Sequence, residues 1–200
     1  MQNQSELTSA LRPVVTFLEN SKTRYFVGGS VASSYHGASR STLDVDLTVQ
    51  LSEASVPELC AALGGQYYLN EQSIRSAIRR NSCFNLIHLD TSFKVDIFVS
   101  DSSPYSEVSQ ERAIIGEVGD DPPLPVRMAS VEDIIVIKLD WYRVGGEISE
   151  RQWSDLVSVA RLNAKLLDVT YLRNWAYKKG LSQLLERLIK ETSVARRLQV

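Results

Sequence analysis

The residues that can do chemistry crowd into one stretch, GGSVASSYHGASRSTLDVDL, from Gly28 to Leu47. Gly28 and Gly29 carry no Cβ, so the backbone there can pass close to a ligand. A helix beginning at about Ser30, running from Val31 to His36 and ended by Gly37, presents free backbone N–H groups that favour an anion such as phosphate. Ser30 adds a hydroxyl. Asp44 and Asp46 lie two apart on an expected strand, so both carboxylates project from one face. Two such carboxylates repel. A divalent cation removes the repulsion, and hard oxygen ligands suit Mg²⁺. A phosphate cradle beside a carboxylate pair points to metal-assisted phosphoryl or nucleotidyl transfer.

These groups need elements to hold them. Tyr25 to Val27 reads as a first core strand and Asp44 to Leu51 as a second, with Val45, Leu47, Val49 and Leu51 opposite the carboxylates. Leu7, Leu11, Val14, Val15 and Leu18 repeat at helical spacing, which predicts an amphipathic helix over Ser5–Asn20 with Pro13 at a kink or a late start. Val56–Leu63 reads as a short helix, Gln66–Leu69 as a short strand and Ile74–Arg80 as a helix. Phe84–Leu89 and Phe93–Val99 read as a hairpin across Asp90-Thr91-Ser92. Asp101–Arg112 reads as a polar loop with a short helix, and Ile114–Val118 as an edge strand. The Asp120–Pro125 segment cannot continue a helix or a central strand, and it marks the end of the compact core. Val126–Met128 is then a last short strand. Ser130 caps a helix that runs through Lys138 to Gly145-Gly146. Helices at Glu150–Leu162, Val169–Lys179 and Leu181–Lys190 follow. Lys138 stands among apolar residues, so its ammonium needs a phosphate or a carboxylate as partner.

Gly28-Gly29-Ser30 followed, after a spacer, by Asp44-x-Asp46 between apolar residues resembles the signature of the DNA polymerase beta-like nucleotidyltransferase superfamily. The resemblance implies a third metal-binding carboxylate on a later strand next to the Asp-x-Asp strand. Asp96 fits that role, with Asp90 at the turn as competitor. EDIIVIKLDWYR followed by ERQWSDL is similar to the helical part of bacterial nucleotidyltransferases related to abortive-infection and type IV toxin proteins. There the resemblance implies that Lys138 and Asp155 belong to the active region. Arg40, in the connecting segment, would reach a phosphate or a partner carboxylate.

Two hundred residues fit one domain or a small core with an appended subdomain. The fold expected is α+β: a nucleotidyltransferase core over residues 1–125, with a small mixed sheet flanked by helices, and a helical subdomain over 126–200 packed on it. A formal net charge of −2 argues against a nonspecific nucleic-acid coat protein. Cys60 and Cys83 are too few for a disulfide scaffold. The N-terminus lacks a secretory pattern and no apolar run reaches membrane length, so a cytoplasmic enzyme with no membrane partner is expected.

The resemblance implies transfer of a nucleoside monophosphate from a nucleoside triphosphate, ATP among the candidates, to a hydroxyl acceptor. Asp44, Asp46 and Asp96 would hold two Mg²⁺ ions, Gly28, Gly29, Ser30 and Arg40 the phosphates, and Lys138 the nucleotide. Arg75, Arg79, Arg80, Lys178 and Lys179 tilt the acceptor toward RNA or tRNA, a toxin-like activity that would imply an antitoxin partner; a protein acceptor fits the same class. A small aminoglycoside-type acceptor and a nucleotide-binding regulatory module with little turnover are the alternatives.

Overall fold

The structure is a computed structural model that describes residues 2–38, 42–119 and 122–192. Arg40, the Asp120-Asp121 pair and the Arg196-Arg197 tail lie outside the described residues. The chain divides into two units, Met1–Val31 with Ser41–Ala129 and Ala32–Arg40 with Ser130–Val200.

The first unit is built on a seven-stranded mixed sheet. In chain order the elements are α1 (Gln2–Asn20), β1 (Tyr25–Val27), α2 (Gly29–Tyr35, within which the unit boundary falls), β2 (Asp44–Val49), α3 (Val56–Leu63), β3 (Tyr67–Tyr68), α4 (Glu71–Arg80), β4 (Cys83–His88), β5 (Lys94–Val99), α5 (Pro104–Arg112), β6 (Ile114–Val118) and β7 (Leu124–Met128). The strand order is β3-β4-β5-β2-β1-β7-β6. The β2–β5 and β1–β7 pairs are parallel. The β1–β2, β3–β4, β4–β5 and β6–β7 pairs are antiparallel. This is the mixed sheet with flanking helices that the sequence predicts.

The alternation of β2 decides its orientation. Val45, Leu47 and Val49 are fully buried while Asp44, Asp46 and Thr48 are partly open. Burying each valine or leucine contributes roughly 1.5–3 kcal/mol, and the three together set which face turns inward. Helix α1 packs against β2, β5 and β7. The Tyr67 hydroxyl donates to the Ala10 carbonyl at 2.7 Å and ties β3 to that helix. Pro13 does not start α1; the helix runs through it from Gln2 to Asn20. Burial of Leu11, Val14, Val15 and Leu18 outweighs the ~3 kcal/mol cost of an internal proline.

The proline-rich segment also departs from expectation. Leu124-Pro125 belongs to β7, which lies between β1 and β6 rather than beyond the core. Pro125 sits opposite Glu117 of β6, whereas β7 meets β1 at Met128. Away from the β1 pairing, a missing N–H is tolerated.

The second unit is helical: α6 (Val131–Val144), α7 (Glu150–Leu162), α8 (Val169–Lys178) and α9 (Ser182–Thr192). Ser130 caps α6, accepting from the Asp133 N–H at 3.1 Å. Asp133 is fully buried, and its carboxylate accepts from the Ser130 and Tyr171 hydroxyls at 2.5 and 2.6 Å. Buried Glu132 accepts the Asp168 N–H at 2.9 Å, so both acids are spent on joining α6 to the start of α8. Leu139, Leu156 and Val159 form the fully buried seam between α6 and α7. No helix among the described residues is long and apolar enough to cross a membrane.

Candidate active site

The site is assembled from two strands that are far apart in sequence and adjacent in the sheet. β2 and β5 pair in parallel register, Asp44 beside Lys94, Asp46 beside Asp96 and Thr48 beside Phe98. Paired residues share a face, so Asp44, Asp46 and Asp96 stand on one side of the sheet, with the two aspartates 46 and 96 side by side. Neighbouring strands are about 4.7–4.9 Å apart, close enough for carboxylates to feel one another. Asp90 lies in the turn after β4, away from this row, whereas Asp96 is the β5 residue beside Asp46.

The Gly-Ser turn lies against Asp46. Gly28 donates its N–H to the Asp46 carbonyl at 2.8 Å, so that donor is used by the sheet. Gly29 has φ +55°, the left-handed region, and a Cβ there would stand 2.6 Å from Asp46 Cγ. A Cβ on Gly28 would meet nothing nearer than 3.9 Å. Of the two glycines, only Gly29 is sterically required. Ser30 is buried, with 5% of its surface exposed.

Each carboxylate has an individual neighbour. Asp44 Oδ1 accepts from the Thr42 hydroxyl at 2.6 Å. Asp46 leans over Gly29. Asp96 Oδ2 is paired with Lys94 Nζ at 2.7 Å. The Asp96 bond, and the Asp44 and Asp46 charges with it, raise the Lys94 ammonium above its ordinary range against a lowering by burial. With the side chains turned this way, no group of three or more His, Cys, Asp or Glu among the described residues is placed to hold a metal ion. The backbone register aligns the three expected ligands, while their side chains are divided among Thr42, Gly29 and Lys94. The donor set itself, three carboxylates on one face beside a glycine with no room for a Cβ, has the chemistry of a hard divalent cation site.

Three residues of this face carry no mark in the sequence pattern. Lys94 reads as an ordinary alternating strand residue. Asn85, exposed on β4, lies directly across from Asp96 and extends the row of Asp46 and Asp96. Cys83 lies across from Phe98; burial of the sulfur, then Asp96 and Asp46, push its thiol up to about 11, although the residue as a whole counts as exposed.

The second unit brings together the other expected pair. Lys138 Nζ lies 3.5 Å from Asp155 Oδ2, linking α6 to α7, with side chains 17% and 24% exposed. This is the carboxylate partner that Lys138 needs. His36 packs its ring edge-on against Tyr35 and its carbonyl accepts from Asn163 at 2.9 Å. Two arginines of the basic cluster are also partnered: Arg75 pairs with Glu71 at 2.8 Å and Arg79 with Glu53 at 3.2 Å. Lys179 pairs with Asp140 at 3.1 Å, and Lys178 sits 4.4 Å from the centre of the Trp175 ring.

No family model matches the chain, and no curated protein matches it by sequence. Solved structures do. A nucleotidyltransferase-like antigenic protein from Paracoccidioides brasiliensis is similar over 94% of this chain and 93% of its own, at TM-score 0.53 and 16% identity. The antibiotic-resistance factor ANT(2'')-Ia, in a solution structure, is similar over 92% of this chain and 97% of its own, at TM-score 0.52 and 16% identity. Likeness at this identity speaks to the fold: the chain shares its fold with these two structures, one of them a nucleotidyltransferase-like protein.

Proposed function

We propose that the protein is a nucleotidyltransferase that moves a nucleoside monophosphate from a nucleoside triphosphate to a hydroxyl acceptor. The observation that carries this reading is the side-by-side register of Asp46 and Asp96 on parallel β2 and β5, with Asp44 on the same face and Gly29 packed against Asp46. Asp44, Asp46 and Asp96 would hold Mg²⁺, which when bound neutralises triphosphate charge and lowers the pKa of an acceptor hydroxyl. Gly29 and Ser30 would hold the β- and γ-phosphates, an assignment that rests on the motif resemblance. Asp96 orients the acceptor hydroxyl toward the α-phosphate as a hydrogen-bond acceptor. Attack in line forms the new phosphate ester, breaks the bond to the β-phosphate and releases pyrophosphate. Lys138, oriented by Asp155, is assigned to phosphate charge on the strength of the motif resemblance.

A small hydroxyl-bearing acceptor is the second reading of the same chemistry. Arg75, Arg79 and Lys179, part of the sequence argument for RNA or tRNA, are matched to carboxylates of this chain. A matched cation contributes less to a polyanion contact than a free one. ANT(2'')-Ia is itself called an antibiotic-resistance factor. A toxin-like RNA acceptor, with an antitoxin partner, requires transfer to RNA.

The test is a labelling assay with Mg²⁺, each α-labelled nucleoside triphosphate and three acceptor sets: total RNA, the protein alone and a panel of aminoglycosides. Label transferred to one set, and lost in Asp44→Ala/Asp46→Ala, supports the reading and names the acceptor class. Nucleotide binding with no transfer to any set would move the assignment to a regulatory module.

A further inference from the structure

Lys94 stands in the carboxylate face rather than beside it. It lies two residues before Asp96 on β5, so both side chains leave the same side of the strand. Its partner across the strand pair is Asp44, while Asp96 lies beside Asp46. The ammonium therefore shares a single patch with three carboxylates and bonds one of them at 2.7 Å. The exposures of the pair are unequal: the Asp96 side chain is 14% exposed and that of Lys94 41%. Asp96 is held by the sheet, whereas the long lysine stem can swing its charge into water at little cost.

We propose that Lys94 is the internal counter-cation of this face, occupying Asp96 in the metal-free protein and leaving it when a divalent cation binds. The inference rests on the assignment of Asp44, Asp46 and Asp96 as metal ligands. Like charges exclude each other from one carboxylate oxygen: an ion bound at Asp96 Oδ2 repels an ammonium 2.7 Å from that oxygen, and the ammonium repels the ion. Lys94 thus relieves carboxylate repulsion before loading and sets a threshold that the cation must overcome. Once displaced, its charge remains near the face and is free to meet the triphosphate. An ordinary exposed ion pair contributes ~0–1 kcal/mol and guards nothing. Here the second partner of the pair is itself an expected ligand.

The test uses the full-length protein and Mn²⁺ alone, without nucleotide, with free Mn²⁺ followed by electron paramagnetic resonance. Lys94→Gln should bind Mn²⁺ about three- to fivefold more tightly than the wild type, the upper scale of one ion pair removed from competition. Lys190→Gln, which removes the same formal charge from α9, should stay within about twofold. Unchanged or weaker binding in Lys94→Gln, with binding lost in Asp46→Asn, overturns the proposal and leaves the metal site standing. Asp46→Asn binding as tightly as the wild type overturns both. If Lys94→Gln does not fold, the wild type decides through its lysine Nζ resonances during a Mg²⁺ titration. The ion-paired signal should vanish as the metal binds, and its persistence at saturation would overturn the proposal.

Discussion

Asp46 fills the space that a side chain at position 29 would need. Gly29 turns with φ +55°, and a Cβ there would stand 2.6 Å from Asp46 Cγ and closer still to its carboxylate oxygen. The glycine of the turn and the second aspartate of Asp-x-Asp are thus one steric unit, 17 residues apart along the chain. Gly29→Ala should lose transferase activity by at least about tenfold, since Asp46 must move, and stability by ~1–2 kcal/mol from the left-handed backbone alone. Gly28→Ala, with 3.9 Å of clearance, should melt near the wild type. Thermal melts of both variants beside the labelling assay check the pair; equal effects at the two positions would contradict it.

The three carboxylates should matter together. Asp44→Asn, Asp46→Asn and Asp96→Asn should each lower kcat/KM by on the order of 10²–10³-fold, the equivalent of roughly 3–4 kcal/mol of transition-state stabilisation. Removing Mg²⁺ with a chelator should do at least as much. Because each residue stands on the open face of its strand, melting temperatures should change little. Asp96→Asn retaining full activity, with Asp90→Asn losing it, would transfer the role to the turn.

The pair between α6 and α7 makes a separate claim about stability. Asp155→Ala strands the Lys138 ammonium in a mostly buried setting and should cost ~1–3 kcal/mol. Adding Lys138→Met should restore part of that loss, because it removes the stranded charge. Denaturant titration of the single and double variants measures the coupling. A double variant no better than Asp155→Ala would show that the charge is already solvated. If Lys138 also serves phosphate, the Michaelis constant for the triphosphate rises in Lys138→Met.

Cys83 reports on the charge of the face without any turnover. Burial first, then Asp96 and Asp46, disfavour the thiolate and push the thiol up to about 11 from an ordinary 9.0. Between pH 8 and 9 the reactive thiolate fraction is therefore roughly 50- to 90-fold below that of an unperturbed thiol. Iodoacetamide should label Cys83 slowly in a Cys60→Ser background. Asp96→Asn removes one of the negative charges, lowers the thiol pKa and should speed labelling. Identical rates in the two proteins would mean that Asp96 exerts no field at the sulfur.

The sequence by itself determined the elements and most of the chemistry they carry. The strand from Asp44 follows from alternation, although it ends at Val49 rather than Leu51; the α6 start follows from Ser130 as cap, and α7 falls on Glu150–Leu162 as periodicity predicts. These signals are local, and a local period or cap is written in neighbouring residues. The Gly-Gly-Ser and Asp-x-Asp spacing pointed to the nucleotidyltransferase fold for the same reason, since both halves flank a single turn and helix. Lys138 among apolar neighbours announced a partner, and Asp155 is there.

What only the tertiary structure decided is who stands next to whom. The family resemblance placed Asp96 on a strand next to the Asp-x-Asp strand, but the alternation of neither strand says that β2 pairs with β5 in parallel and in the register that sets Asp46 beside Asp96. Pairing is fixed by burying both apolar faces under the same helices, a long-range condition with no local trace. That register alone turns Lys94 from a plain alternating residue into the cation of the carboxylate face, and places Asn85 at the end of its row. It likewise takes three dimensions to bring Glu53 to Arg79, and so to match part of a basic cluster with carboxylates. Charge in a sequence is a count; whether it is free or already spent depends on which opposite charge folding brings to it.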